Sequence, residues 1–199
     1  MVGEIAADSS KKTELRPQII AARDALPPTA RETYSAAITA QLLALDAYRS
    51  ATRVVSYMSF GSEFDTAAFN AAALSNGKQL CLPRVDRTAR RLDLHIVENL
   101  ASDLQSGVWG IREPRADRPA ADMAGIDFVL LPGVAFTSRC ERRGYGGGFY
   151  DRLIPHFTHR PALLAAAFAV QVCETIPLDV NDQRIDVVVT ESAFYCNCD

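Results

Sequence analysis

Leu15, Ile19, Ile20, Ala22 and Leu26 recur at helical spacing among charged and polar neighbours, so an amphipathic helix is predicted from Lys11 to about Leu26. Pro27-Pro28 stops it, because proline lacks the amide that a helix interior needs. A second helix is expected from a cap at Thr29, turning Tyr34, Ile38, Leu42 and Leu45 inward. The period then changes. Arg53 to Ser59 reads as a strand, Thr66 to Ser75 as a helix, Asn76-Gly77 as a turn and Gln79 to Pro83 as a short buried strand. The charged stretch Arg84 to Arg91 is expected to be a loop, followed by an alternating strand, Leu92 to Val97, with Asp93 and His95 outward. Pro114 and Pro119 bound a connecting segment.

Ile126 to Leu131 is an almost unbroken apolar run, as a strand covered on both faces requires, and Pro132-Gly133 ends it. Leu163 to Val170 is a second buried run and Ile185 to Thr190 a last strand. Strands alternating with helices predict an α/β single-domain sandwich around a central, mainly parallel sheet, with its ligand site at the carboxyl ends of the strands. Met1 to Ser10, small and polar, is expected to be a disordered tail, with one domain from residue 11 to residue 199.

Composition narrows the class. The chain has 199 residues, 48% hydrophobic and 23% charged, as in a globular domain rather than a disordered or fibrous chain. No apolar run is long enough for a membrane span or a signal peptide, and the five scattered cysteines suit reduced thiols, so a cytoplasmic protein without a membrane partner is expected. Cys196 and Cys198 form a lone C-x-C with no second pair, which is poor for a structural zinc site. The net charge is −3, so no global field draws nucleic acid to the chain, despite 18 Arg against 3 Lys. Any anion site must be local.

The strongest local signal follows the apolar run: RCERRGYGGGFYD, Arg139 to Asp151. Gly144, Gly146, Gly147 and Gly148 free the backbone to approach a ligand, and a helix is expected from Phe149 to Ile154. Arg139, Arg142, Arg143 and Arg152 bracket the loop with guanidinium groups suited to phosphate oxygens. No Gly-Lys-Ser/Thr follows, and the glycine spacing is not that of a dinucleotide fingerprint. The pattern is a phosphate cradle or, on the blander reading, a flexible loop with solvated arginines. Asp151 is a hard oxygen ligand for magnesium or merely a helix cap.

The run LLPGVAFTSRCERRGYGGGFYDRLIP resembles the signature of the 5-formyltetrahydrofolate cyclo-ligase (5,10-methenyltetrahydrofolate synthetase) family. Further segments fall in the family's order: Lys12 and Arg16 in a Lys-x-x-x-Arg arrangement, SYMSFGSEFDT with Glu63, Asp65 and Thr66, GKQLCLPRV, WGIREP around Trp109, and PLDVNDQRIDVVVTE with Asp182. The resemblance runs from about Lys11 to Glu191. It implies a ribose-phosphate isomerase/CoA-transferase-like fold and an enzyme that uses ATP and Mg2+ to convert 5-formyltetrahydrofolate into 5,10-methenyltetrahydrofolate, releasing ADP and phosphate. ATP phosphorylates the formyl oxygen, the arylamine nitrogen attacks the activated carbon, and phosphate leaves.

Carried over by position, the resemblance assigns ATP binding to Lys12, Arg16, Arg142, Arg143, Gly144, Tyr145, Gly146, Gly147, Gly148, Phe149 and Tyr150. It assigns the folate to Arg16, Met58, Glu63, Trp109, Tyr145 and Phe149, catalysis to Arg142, Tyr145 and Tyr150, and magnesium to Asp151 and Asp182. Met58 and Trp109 could equally be ordinary core. The chain departs from the family pattern at Arg143, where leucine is usual, at Phe149 for tyrosine, at Gly147 for lysine and at Asn181 for histidine. The expected partners are the two small molecules alone, acting on a monomer. Two other readings stay open: a folate- or nucleotide-binding paralogue without turnover, and a phosphosugar isomerase-like enzyme with a carboxylate base.

Overall fold

The computed structural model describes residues 14–178 and 183–197. Residues 14–24 form helix α1, inside the span predicted for the first helix. Helix α2 (Pro28–Ala44) starts one residue before the predicted cap: Pro27 occupies the cap position, and Thr29 lies in the first turn, its carbonyl accepting the Thr33 hydroxyl at 2.9 Å. Its buried stripe, Ser35, Ile38, Thr39 and Leu42, has helical spacing. A short helix α3 (Asp46–Ser50) leads into strand β1 (Arg53–Val55), and α4 (Ala67–Ser75) buries Phe69, Asn70 and Ala73.

Strand β2 (Gln79–Asp86) and strand β3 (Arg91–Val97) form an antiparallel hairpin, where a charged loop from Arg84 to Arg91 was expected. Asp86 Oδ1 closes the turn by accepting the amides of Thr88 and Ala89, both at 2.9 Å. The charges here decorate a strand pair near the sheet edge, which tolerates them as readily as a loop does. Strands β4 (Leu104–Ser106) and β5 (Arg112–Pro114) make a separate pair that no periodicity announced.

Strand β6 (Phe128–Leu131) has all four residues buried, as its composition required. Strands β7 (Ala135–Thr137), β8 (Arg142–Arg143) and β10 (Val172–Cys173) build a small second sheet. Helix α5 (Phe149–Leu153) follows the glycines and runs into a 3-10 turn, Ile154–His156. The predicted runs near the C-terminus shorten to β9 (Ala162–Ala166) and β11 (Val187–Val189), and β12 (Phe194–Cys196) returns antiparallel to β11.

The main sheet has the order β12-β11-β9-β6-β1-β2-β3. The pairings from β11 to β2 are parallel, and both outer strands run antiparallel to their neighbours. This is the mixed α/β, mostly parallel sheet that the alternation of elements predicted. Alternate residues of β1 and β6 feed opposite cores. Val54, Phe128 and Leu130 pack with Ile38, Leu42 and Phe69, while Val55, Val129 and Leu131 pack with Leu153 and Phe157. Beyond β3, the segment at Pro119–Ala121 bonds the outer edge: the Ile96 amide donates to Pro119 O and the Ala121 amide to Leu94 O, both at 2.8 Å. His95, also on β3, has its Nδ1 2.8 Å from the Arg118 carbonyl, away from the site described below.

The strand predicted over Arg53–Ser59 ends early for a reason that matters to the site. The Ser56 amide still donates to Cys81 O at 3.1 Å. The Tyr57 carbonyl is then taken by side chains instead, the Thr66 hydroxyl at 2.8 Å and Asn70 Nδ2 at 3.0 Å. The backbone therefore leaves the sheet at Tyr57 and carries residues 57–66 over the carboxyl end of β1.

Candidate active site

Three strand ends make the floor of one cleft of about 1130 Å³. The loop after β1 supplies Tyr57, Met58, Phe60 and Glu63; β2 supplies Pro83 and Val85; the chain after β6 supplies Pro132 and, through β8, Arg142 and Arg143. The glycine loop and α5 form one wall, and Trp109 and Ile111 stand on another.

The glycine loop needs its glycines. Gly146 sits at φ +99° with the Arg16 guanidinium 3.1 Å from where a Cβ would lie, and Gly148 at φ +62° starts α5. Arg16, on α1, donates from Nε to the Gly144 carbonyl at 3.0 Å, so the first helix braces the loop. Arg152 braces the far side, donating from Nε and Nη2 to Arg90 O at 3.0 and 2.8 Å and from Nη2 to Gly147 O at 2.9 Å, its guanidinium 5.2 Å from the Phe149 ring.

Arg142 is buried beneath the loop. One guanidinium nitrogen donates to Pro132 O at 3.1 Å and another meets Asp151 Oδ1 at 2.6 Å, while Nε has no hydrogen-bond partner. A buried, unpaired N–H on a cation is costly. It fits a site built to receive an anion. Arg143 is buried beside it, and both line the cleft.

On the opposite side Glu63 is held from two directions. Its Oε2 accepts the Phe60 amide at 3.1 Å and its Oε1 accepts the Tyr145 hydroxyl at 2.5 Å. Burial pushes the Glu63 carboxyl up, against the lowering effects of the Tyr145 hydroxyl, the Phe60 amide and the Arg23 charge. Tyr145 and Tyr150 are pushed far above the ordinary phenol value, first by burial and then by the Glu63 charge. Both stay protonated at neutral pH, as hydrogen-bond donors rather than bases.

Every described residue assigned from the sequence lines this one cleft: Arg16, Met58, Glu63, Trp109 and the unbroken run Arg142 to Asp151. Lys12, Asp182 and Cys198 lie outside the described residues. Met58 is half-buried, its sulfur 3.7 Å from Asn70 Nδ2. Trp109 is no core residue: it is 72% exposed, in a left-handed backbone conformation, with its ring edge-on to Phe149 at 6.4 Å between centroids. Arg139, counted among the arginines around the loop, does not line the cleft and faces Glu141 at 3.6 Å.

Sequence reasoning missed Tyr57, Phe60 and Arg23. Tyr57 and Phe60 flank Met58 in SYMSFGSEFDT, and Phe60 packs on the Tyr145 ring at 5.3 Å. Arg23 donates to the Tyr145 hydroxyl at 3.1 Å. It stands seven residues beyond Arg16, two helical turns along the same face, a signal available in the spacing. Among the described residues no three His, Cys, Asp or Glu side chains converge as a metal cluster. Nor is any described helix long and apolar enough to cross a membrane.

Comparison with known proteins gives a consistent result. Residues 8–191 match the model of the 5-formyltetrahydrofolate cyclo-ligase family. The 5-formyltetrahydrofolate cyclo-ligase of Mus musculus is 28% identical over 93% of this chain and 96% of its own length, and that of Escherichia coli K12 is 27% identical over 85% and 94%. The solution structure of 5,10-methenyltetrahydrofolate synthetase from Aquifex aeolicus superposes with a TM-score of 0.83 at 30% identity, covering 94% of this chain and 93% of that one.

Proposed function

Since the chain belongs to the 5-formyltetrahydrofolate cyclo-ligase family, we propose that its cleft performs that ligase reaction with the nucleotide on the glycine-loop side and the folate on the Glu63 side. The enzyme converts 5-formyltetrahydrofolate and ATP into 5,10-methenyltetrahydrofolate, ADP and phosphate. One observation carries the assignment of residues: the Tyr145–Glu63 hydrogen bond joins the glycine loop to the loop after β1 across a single cleft.

The formyl oxygen attacks the γ-phosphorus and the bond to ADP breaks. The arylamine nitrogen then attacks the formyl carbon and loses its proton as the carbon–oxygen bond breaks and phosphate departs. Arg142 and the loop amides receive the phosphates, and the unpaired Arg142 Nε supports that role. Arg16 steadies the loop from below while its charge adds to the same anion field. Glu63 holds the pterin by accepting its adjacent N–H donors while Tyr145 keeps its own hydroxyl on that carboxylate, and the protonated hydroxyl of Tyr150 donates toward the formyl and phosphoryl oxygens. Phe149 and Trp109 wall in the flat rings. Holding two reactants face to face is most of what such a reaction requires of its protein.

We also infer that Mg2+ accompanies the nucleotide. Asp151 would hold the ion with its carboxylate at the base of the loop and Asp182 would be the second ligand, phosphate oxygens and water supplying the rest of the shell. The ion would neutralise phosphate charge. The ribose-phosphate isomerase/CoA-transferase-like class is our reading of the sheet, supported by its parallel centre with the cleft at the strands' carboxyl ends. A reducing compartment, the cytoplasm, is supported by the odd number and scatter of the five cysteines along the chain.

Incubation with ATP, magnesium and 5-formyltetrahydrofolate is expected to produce the near-ultraviolet absorbance of the methenyl product. Arg142→Ala is expected to weaken ATP, and Glu63→Ala the folate, each by about 1.5–3 kcal/mol in calorimetry. No absorbance with both compounds bound would refute turnover, and the opposite pattern of losses would exchange the two half-sites.

A further inference from the structure

Arg23 is 3% exposed, and both of its side-chain hydrogen bonds go to hydroxyls: Nε to Ser62 Oγ at 2.9 Å and Nη1 to Tyr145 Oη at 3.1 Å. A buried cation with neutral partners is expensive to keep, so it calls for a task beyond filling space. Its neighbours show one. A guanidinium only donates, so the Tyr145 oxygen accepts a hydrogen bond from Arg23 and must turn its own O–H elsewhere. That hydroxyl meets Glu63 Oε1 at 2.5 Å, the distance of a charge-assisted bond. The second arm follows the same logic: Ser62 accepts from Arg23 and donates to Asp24 Oδ1. Ser62 is the residue before Glu63, so both ends of the guanidinium bear on that carboxylate, one through the backbone and one through the phenol.

We propose that Arg23 is a positioning residue for the folate: it fixes the Tyr145 hydroxyl as a donor to Glu63, so that the carboxylate is already oriented and tied to the glycine loop when the pterin arrives. The proposal rests on the reading of Glu63 as the pterin ligand. It adds that the acid is preset by a residue on α1 that lines neither half-site itself. The Arg23 charge is felt by Glu63, Tyr145 and Tyr57, all three opposed to their desolvation, as an electrostatic support for the same cluster requires.

The test is a double-mutant cycle on the purified full chain, with folate and ATP affinities measured separately by calorimetry and steady-state kinetics alongside. Arg23→Met and Tyr145→Phe are each expected to weaken 5-formyltetrahydrofolate about tenfold, and Arg23→Met is expected to leave ATP affinity within about twofold. The double variant should be no weaker than the worse single one, because both changes cut the same chain. Arg23→Lys, which keeps a cation and a donor, should recover most of the folate affinity, and the loss in Arg23→Met should appear in the folate KM rather than in kcat. Additive losses, equal loss of both ligands in Arg23→Met, or unchanged folate affinity in Tyr145→Phe would overturn the proposal; if Arg23→Met fails to fold, Tyr145→Phe and Arg23→Lys still decide it, and a Lys variant that loses both ligands equally overturns it. Glu63→Gln separates the two ideas. If it leaves folate affinity intact, the reading of Glu63 fails; if it weakens the folate while Arg23→Met does not, only the role of Arg23 fails.

Discussion

At the scale of single residues, the pH prediction belongs to Glu63. Burial raises its pKa while the role proposed for it needs the ionised form, so folate binding is expected to fall away, as the medium is acidified, at a pH above the ordinary glutamate value. The acid limb of a kcat/KM profile for 5-formyltetrahydrofolate measures this, and a limb at the ordinary glutamate value would contradict it. The same shift has the opposite sign for stability. A carboxyl whose pKa is raised on folding stabilises the fold fully below the unfolded value and loses that contribution as pH rises through the folded one. Glu63 and Arg142 were legible as residues because their chemistry is bound to recognisable segments. Arg23 was passed over although its spacing from Arg16 places it on the same helix face, since an arginine on an amphipathic helix looks like any solvated charge until the fold buries it.

At the scale of elements, the glycine loop takes part of its support from α5, the five-residue helix that follows it. Arg152 of α5 and Arg16 of α1 each donate to one of the loop carbonyls. Its left-handed turns, however, belong to its own residues. Gly148→Ala places a Cβ at φ +62° and 2.9 Å from Arg152 Nη1, and is expected to cost about 1 kcal/mol or more of stability and to weaken ATP. Thermal melts and calorimetry of that variant measure both effects, and a melt unchanged from the parent would show that the turn is not strained. Long periodic elements such as α2 and the apolar β6 could be read from the pattern. The two-residue strands β8 and β10 could not: they carry no period, and the pairing of β10 with β7 joins segments far apart in sequence. The early end of β1 was hidden for a similar reason, because side chains of Thr66 and Asn70 take the Tyr57 carbonyl.

At the scale of the molecule, the sheet separates two cores and β6 feeds both. Phe128 is fully buried, stacked with Phe69 at 6.0 Å and edge-on to Tyr48 at 5.9 Å. Phe128→Ala should therefore cost about 3–5 kcal/mol in denaturant unfolding, with the cleft residues untouched. A loss below 1 kcal/mol would mean that this core closes over the gap. The α/β class was legible because helices and apolar strands alternate, but the strand order was not, since apolar runs do not record which neighbour they will pair with. The edges of that order have a consequence for the protein in a crowded solution. On one side the outer strand β12 is only three residues long, and on the other the middle of β3, at Leu94 and Ile96, is already bonded by Pro119–Ala121. A foreign β-strand therefore finds little backbone on which to template itself, and an aggregation route open to many parallel sheets is largely closed from within.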